Sequence, residues 1–191
     1  MFVDLWVRWI AATVFAAGLS ACEQAPPLAT FDLAAATPQH EARRRAEIRV
    51  RSPKVAEALD SYRLVARSDN GAYAPLSGQW SDRLPDLIAA RAVDSLSAAG
   101  LDAYGEGGPA TANYDLTLEV KAFDYDSGKQ RVEVAIAAEI VALMSGRTLA
   151  RQEFQATEPV PSGDPKLVAA ALAKTFSGVM SEVAAFVVDK V

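Results

Sequence analysis

The chain has 191 residues, 51% of them hydrophobic, and a net charge of −5 from 19 Lys and Arg against 24 Asp and Glu. That length suits one domain with a sizeable core, even after a leader is removed. The acidic balance argues against nucleic acid as a partner. One histidine and one cysteine leave no His/Cys metal cluster and no intramolecular disulfide.

The N-terminus reads as a secretory leader over residues 1–21. Arg8 and the α-amino group form a weakly positive start that Asp4 partly offsets, and Trp9 to Leu19 carries no charge. Leu19-Ser20-Ala21-Cys22 then has the pattern of a lipobox. In that reading Cys22 receives a diacylglycerol and becomes the first residue of the mature chain. An uncleaved anchor is the competing reading, but the uninterrupted apolar stretch is too short for it. Lipidation also explains why a secreted chain keeps one cysteine. Two or three acyl chains, palmitate among them, hold a protein stably at a bilayer. No later segment reads as a membrane span.

Residues 22–46 are expected to be a lipidated tether. Thr30-Phe31-Asp32-Leu33 within it could form a short edge strand. Arg43-Arg44-Arg45 is too short to diagnose headgroup binding, and a solvated stretch is the better default. Residues 47–191 are expected to be a single α+β domain.

Ile48 and Val50 alternate with arginines, which predicts a strand ending at Pro53. Ser61 to Arg67 is a second strand, and Asp69-Asn70-Gly71 turns it into a returning strand at Ala72-Tyr73-Ala74. A helix is expected over 79–99, with Trp80, Leu84, Ile88, Ala92 and Leu96 at fourfold spacing. Gly100 would cap its C-terminus. Pro85 fits only if Ser81 caps the helix; otherwise it bends it. The glycine-containing stretch from Leu101 to Ala112 is a loop.

Tyr114 to Tyr125 and Arg131 to Leu143 alternate apolar and polar residues. Keeping both apolar sets on one face pairs even positions with even ones, which calls for a three-residue loop or a bulge. Ser145-Gly146 starts a third strand over 147–157, completing an antiparallel meander with one wet face. Asp164-Pro165 opens a final helix reaching Asp189, with Val168, Leu172, Phe176, Val179, Val183 and Val187 in one stripe. The expected fold is therefore a two-layer α+β sandwich, an antiparallel sheet with two main helices on one face.

Catalytic chemistry is hard to find. His40 falls in the tether, which leaves no triad unless the tether folds back. Gly105, Gly107 and Gly108 precede a strand, not a helix, so they are no phosphate cradle. Asp124 and Asp126 flank a turn without EF-hand spacing. The residues imply no enzyme, cofactor or metal. Phe123 and Tyr125 fall on the polar side of their strand, so a partner-binding patch and a cap on the sheet edge are both open readings. Trp80 belongs to the core or to an interface.

The lipobox at Cys22 precedes the strand Phe31-Asp32-Leu33 and the strand Ser61-Tyr62-Arg63-Leu64-Val65-Ala66-Arg67. Gly71-Ala72-Tyr73, Trp80 with Leu84, Leu87 and Leu96, a long hairpin and an amphipathic C-terminal helix follow. This ordered set resembles the auxiliary lipoprotein component of ABC-type transport systems that work with MCE (mammalian cell entry) lipid transporters. The family usually has Tyr where this chain has Phe31, and Pro85 is unusual in it. The resemblance implies a non-enzymatic periplasmic domain, tethered to the bilayer through acylated Cys22, that contacts an MCE-domain subunit; self-association is left open. Glu23 after Cys22 favours the outer over the inner membrane by resemblance to lipoprotein sorting. The rival reading is an envelope-assembly or cell-wall-regulatory lipoprotein that activates a periplasmic enzyme.

Overall fold

The structure is a computed structural model, and it describes residues 27–38, 41–42 and 45–191. Cys22, Glu23, His40, Arg43 and Arg44 lie outside the described residues.

Among the described residues, eight strands and two α-helices follow one another. They are β1 (Ala29–Phe31), β2 (Glu47–Val50), β3 (Arg63–Arg67), β4 (Tyr73–Trp80), α1 (Leu84–Ala98), β5 (Asp102–Tyr104), β6 (Tyr114–Asp126), β7 (Arg131–Ala142), β8 (Arg147–Pro159) and α2 (Pro165–Lys190). All eight strands form one sheet. The helices touch each other and pack on the sheet, α2 mainly over β7 and β8. This is the expected α+β sandwich.

The sheet is mixed, however, where an antiparallel one was expected. β3–β4, β6–β7 and β7–β8 are antiparallel, as the hairpin and meander signals require. β1–β4, β2–β5, β2–β6 and β3–β6 are parallel. Alternation reports which face a side chain takes but carries no information on strand direction. β6 holds the sheet together: β7 lines its whole length on one side. On the other, β2 pairs with Tyr114–Leu116 and β3 with Tyr125–Asp126. Between them, Lys54 bridges to Glu119.

The β6–β7 register follows the even-with-even rule from Leu116↔Ile140 to Val120↔Ile136. A bulge at Lys121 then shifts it, so that Phe123 faces Val134 and Tyr125 faces Val132. The loop covers residues 127–130, and Gln130 takes φ +49°.

Trp80 ends β4 and does not open a helix. Its N–H donates to the Tyr62 carbonyl at 2.6 Å, and the Ser81 N–H donates to the Phe31 carbonyl at 2.7 Å. Bonds from neighbours on both sides hold the chain extended there, against its helical spacing. α1 therefore starts at Leu84 with Pro85 in its first turn, where a missing N–H costs nothing. Ser81 does not cap it. Its C-terminus closes on Gly100, φ +84°, with Gly100 N–H to Ser97 O at 3.0 Å and Leu101 N–H to Leu96 O at 3.1 Å. The expected 101–112 loop contains β5, which pairs with β2.

α2 starts as its sequence predicts: Asp164 accepts from the N–H groups of Lys166 at 2.8 Å and Leu167 at 3.2 Å. Contrary to the sequence reading, its 26 residues are long and apolar enough to cross a bilayer. It serves instead as a core helix, burying Val168, Leu172, Phe176, Val179, Val183 and Val187.

The stretch assigned to a tether is partly built into the domain. β1 adds a parallel edge to β4, and Leu33, Ala36 and Ala46 are buried. The Ser95 hydroxyl accepts from the Ala36 N–H at 2.9 Å, and Arg91 donates to the Leu33 carbonyl at 2.6 Å.

Candidate functional site

Of the residues singled out in the sequence, Cys22 lies outside the described part. The other three are core residues. Trp80 is 1% exposed, Phe123 1% and Tyr125 4%. Phe123 meets Trp80 edge-on at 5.7 Å between centroids and Phe176 of α2 at 5.9 Å. The Lys121 bulge is what turns Phe123 and Tyr125 inward; strict alternation would place them on the polar side. In the described fold they join sheet to helix and present no partner patch.

Two surface features remain. The first is the polar side of the sheet near the β6–β7 loop, where Arg67 of β3 meets three carboxylates. It reaches Asp124 at 3.1 Å, Glu133 at 2.9 Å and Asp126 at 3.5 Å. Asp124 is fully buried, and its Oδ2 has no hydrogen-bond partner. Burial raises its carboxyl above the usual range, despite the opposing pull of Arg67. Asp126 moves the other way, held low first by the Lys129 backbone N–H. Burial opposes the charge on Arg67, but Asp124, Asp126 and Glu133 together raise its pKa. Burial and the Asp124 charge push the Tyr73 hydroxyl up. Among the described residues no group of His, Cys, Asp or Glu has metal-site geometry. The cluster thus acts as an electrostatic clasp between β3, β6 and β7.

The second feature is a groove of ≈ 350 Å³ between the end of β8 and the first turns of α2. Pro159, Val160, Pro161, Leu167, Ala170 and Ala171 make it apolar. The Lys174–Glu158 ion pair, 2.8 Å, crosses its rim. Leu167 is 50% exposed there. The sequence reading passed over this site because the Pro-rich run looked like a plain connector.

The start of α2 lies close to the N-terminal strand. Gly78 of β4 is pressed so tightly that an added Cβ would sit 2.6 Å from Leu64, 3.0 Å from Phe31 of β1 and 3.2 Å from Pro165 at the start of α2. β1 and the first turn of α2 therefore converge on one glycine.

The family model for the "ABC-type transport auxiliary lipoprotein component" matches residues 30–184, from inside β1 to the last turns of α2. The chain belongs to this family. The match begins within the first strand, in agreement with the packing of β1 into the auxiliary lipoprotein fold. Solved structures share that fold. A Xanthomonas campestris protein is 18% identical with a TM-score of 0.77, covering 86% of this chain and 96% of its own. An uncharacterized protein is 13% identical with a TM-score of 0.69, over 85% and 99%. A hypothetical protein of Chlamydia trachomatis is 8% identical with a TM-score of 0.54, over 77% and 98%. At these identities the likeness concerns the fold alone. No curated protein matches the chain.

Proposed function

We propose that this auxiliary lipoprotein is a membrane-anchored, non-catalytic accessory subunit of an MCE-type lipid transporter, facing the periplasm from the outer membrane. The family match over residues 30–184 carries the reading. The lipobox ending at Cys22 supplies the anchor, and Glu23 favours the outer membrane.

The geometry adds a constraint on how such a subunit works. Only six residues separate Cys22 from Ala29, the first residue of β1, a path of seven Cα–Cα steps. Fully extended, they span at most about 25 Å. With Cys22 acylated, the domain hangs close to the bilayer by its β1 edge, not at the end of a long tether. The start of α2 lies near that edge, so it stays close to the membrane surface. A short tether of this kind suits a part that holds a larger assembly at a membrane.

The test is replacement of Cys22. Cys22→Ala should release the protein from the membrane fraction. It should also leave the envelope as detergent-sensitive as deletion of the gene. A soluble variant that fully restores the envelope barrier would refute the anchored-subunit reading.

A further inference from the structure

We infer that the apolar groove between the end of β8 and the first turns of α2 rests on the phospholipid bilayer that holds the anchor, with Leu167 entering its apolar layer. The inference rests on the anchored reading of Cys22 and adds which face of the domain meets the lipid.

Strand direction decides which end of the sheet lies nearest the anchor. β1 runs parallel to β4, with Ala29 beside Gly78 and Phe31 beside Trp80. Followed back from Ala29, β1 points along β4 toward Tyr73 and the β3–β4 turn. That turn sits on the β6–β7 loop, where an added Cβ on Gly128 would collide with the Asp69 carboxylate. The groove wall joins the same loop. Pro159 pairs with Arg131, the Val160 N–H donates to the Gln130 carbonyl at 2.8 Å, and the Gln130 side-chain amide donates to the Pro161 carbonyl at 3.2 Å. The N-terminal end of β1 and the groove therefore share one end of the sheet. The β7–β8 turn, with the fully exposed Met144, lies at the other end of the 12-residue β7, about 40 Å away.

Reach is sufficient. Ala29 pairs with Gly78, Gly78 is pressed against Pro165, and Leu167 is two residues further along α2. These contacts keep Leu167 within about 17 Å of Ala29. The chain from Cys22 to Ala29 extends no further than about 25 Å. A tether this short holds the groove end against the bilayer at an effective concentration on the order of millimolar, so even a weak contact is populated.

The side chains suit lipid. Leu167 is 50% exposed, and Pro159, Val160, Pro161, Ala170 and Ala171 beside it are apolar. Lys166 and Lys174 flank it on α2 and are exposed. Lysine stems lie along an apolar surface while their charges stay among headgroups. The nearby acids are engaged: Asp164 accepts from the N–H groups of Lys166 and Leu167, and Glu158 pairs with Lys174.

Fluorescence of the full-length acylated protein in phosphatidylcholine vesicles tests this. Acylation uses the Cys22 thiol, the only native one, so an introduced cysteine carries the only label. An environment-sensitive dye on Leu167→Cys should shift to the blue. Nitroxide-labelled phosphatidylcholine should quench it several-fold more than the same dye on Met144→Cys. The dye on Ala170→Cys should be quenched too, and adding Leu167→Asp should remove that quenching while the protein still floats with the vesicles. At a half-exposed position this change leaves the fold intact. Equal quenching at Leu167→Cys and Met144→Cys would overturn the inference. So would a blue shift at Leu167→Cys without nitroxide quenching, which would mean that a second copy or the chain's own acyl group covers the groove. In both cases the protein is vesicle-bound and the anchored reading stands. A protein that does not float with the vesicles would overturn that reading and this inference with it.

Discussion

Arg67 of β3 and Asp124 of β6 pair at 3.1 Å across the narrowest junction of the sheet. There β3 and β6 share only two register pairs, Ala66↔Tyr125 and Arg67↔Asp126. Beyond the junction lie β4 and β1 on one side and the long β6–β7–β8 meander on the other. With so little backbone pairing, the side-chain clasp of Arg67 with Asp124, Asp126 and Glu133 bears much of the contact.

Arg67→Met should therefore cost about 3–5 kcal/mol, because it leaves the Asp124 carboxylate buried without a cation. Urea unfolding at neutral pH measures this. A cost below about 1 kcal/mol would mean that the backbone pairs alone hold the junction.

The two aspartates should titrate in opposite senses. The folded pKa of Asp124 is raised, so the fold favours its protonated form, and this favourable contribution is present below the unfolded value of about 3.9 and lost as pH rises through the folded pKa. The folded pKa of Asp126 is lowered, so its contribution is present above about 3.9 and lost as pH falls through the folded pKa. Hence Asp124→Asn should gain stability relative to the parent as pH rises from 4 to 7, and Asp126→Asn should lose it over the low end of that range. Urea midpoints at each pH check both signs.

Phe123→Ala should destabilise the domain by about 3–5 kcal/mol, the usual loss for a buried aromatic. Leu149→Ala, at a 46% exposed position, should change stability by no more than about 0.5 kcal/mol. Deleting Lys121 should cost less than Phe123→Ala, because it turns the bulge into regular pairing and leaves Phe123 opposite Val134 and Tyr125 opposite Val132. Thermal unfolding of the three variants ranks them.

Gly78→Ala should cost about 1–3 kcal/mol, since the new methyl collides with Leu64, Phe31 and Pro165. Its particular signature should be faster proteolysis within residues 27–38 than in the parent, because β1 loses its seat on β4. Unchanged cleavage there would show that the bonds from Ser95 and Arg91 suffice to hold the segment.

Local chemistry was legible wherever one pattern governed one element. The β3–β4 turn at Asp69-Asn70-Gly71, the alternation of β6 and β7 and the Asp164-Pro165 start of α2 all appear where their residues predict. The even-with-even pairing called for a three-residue loop or a bulge, and the bulge is the one the chain uses, at Lys121. Trp80 could not be read correctly, since its spacing with Leu84 and Ile88 is helical and only the bonds to Tyr62 and Phe31 keep it extended. Phe123 and Tyr125 were misleading for a related reason: one extra residue reverses every face after it. The parallel pairings were hidden because direction leaves no trace in alternation. The groove was hidden because Pro159 and Pro161 carry the same signal in a wall as in a linker.

The central claim is that this auxiliary lipoprotein works on an MCE-type transporter. Cross-linking in intact envelopes, followed by affinity capture of the full-length protein and mass spectrometry, tests it most directly. The account predicts enrichment of an MCE-domain subunit with the parent chain and loss of that enrichment with Cys22→Ala. Recovery of a cell-wall synthase with no transporter subunit would contradict it.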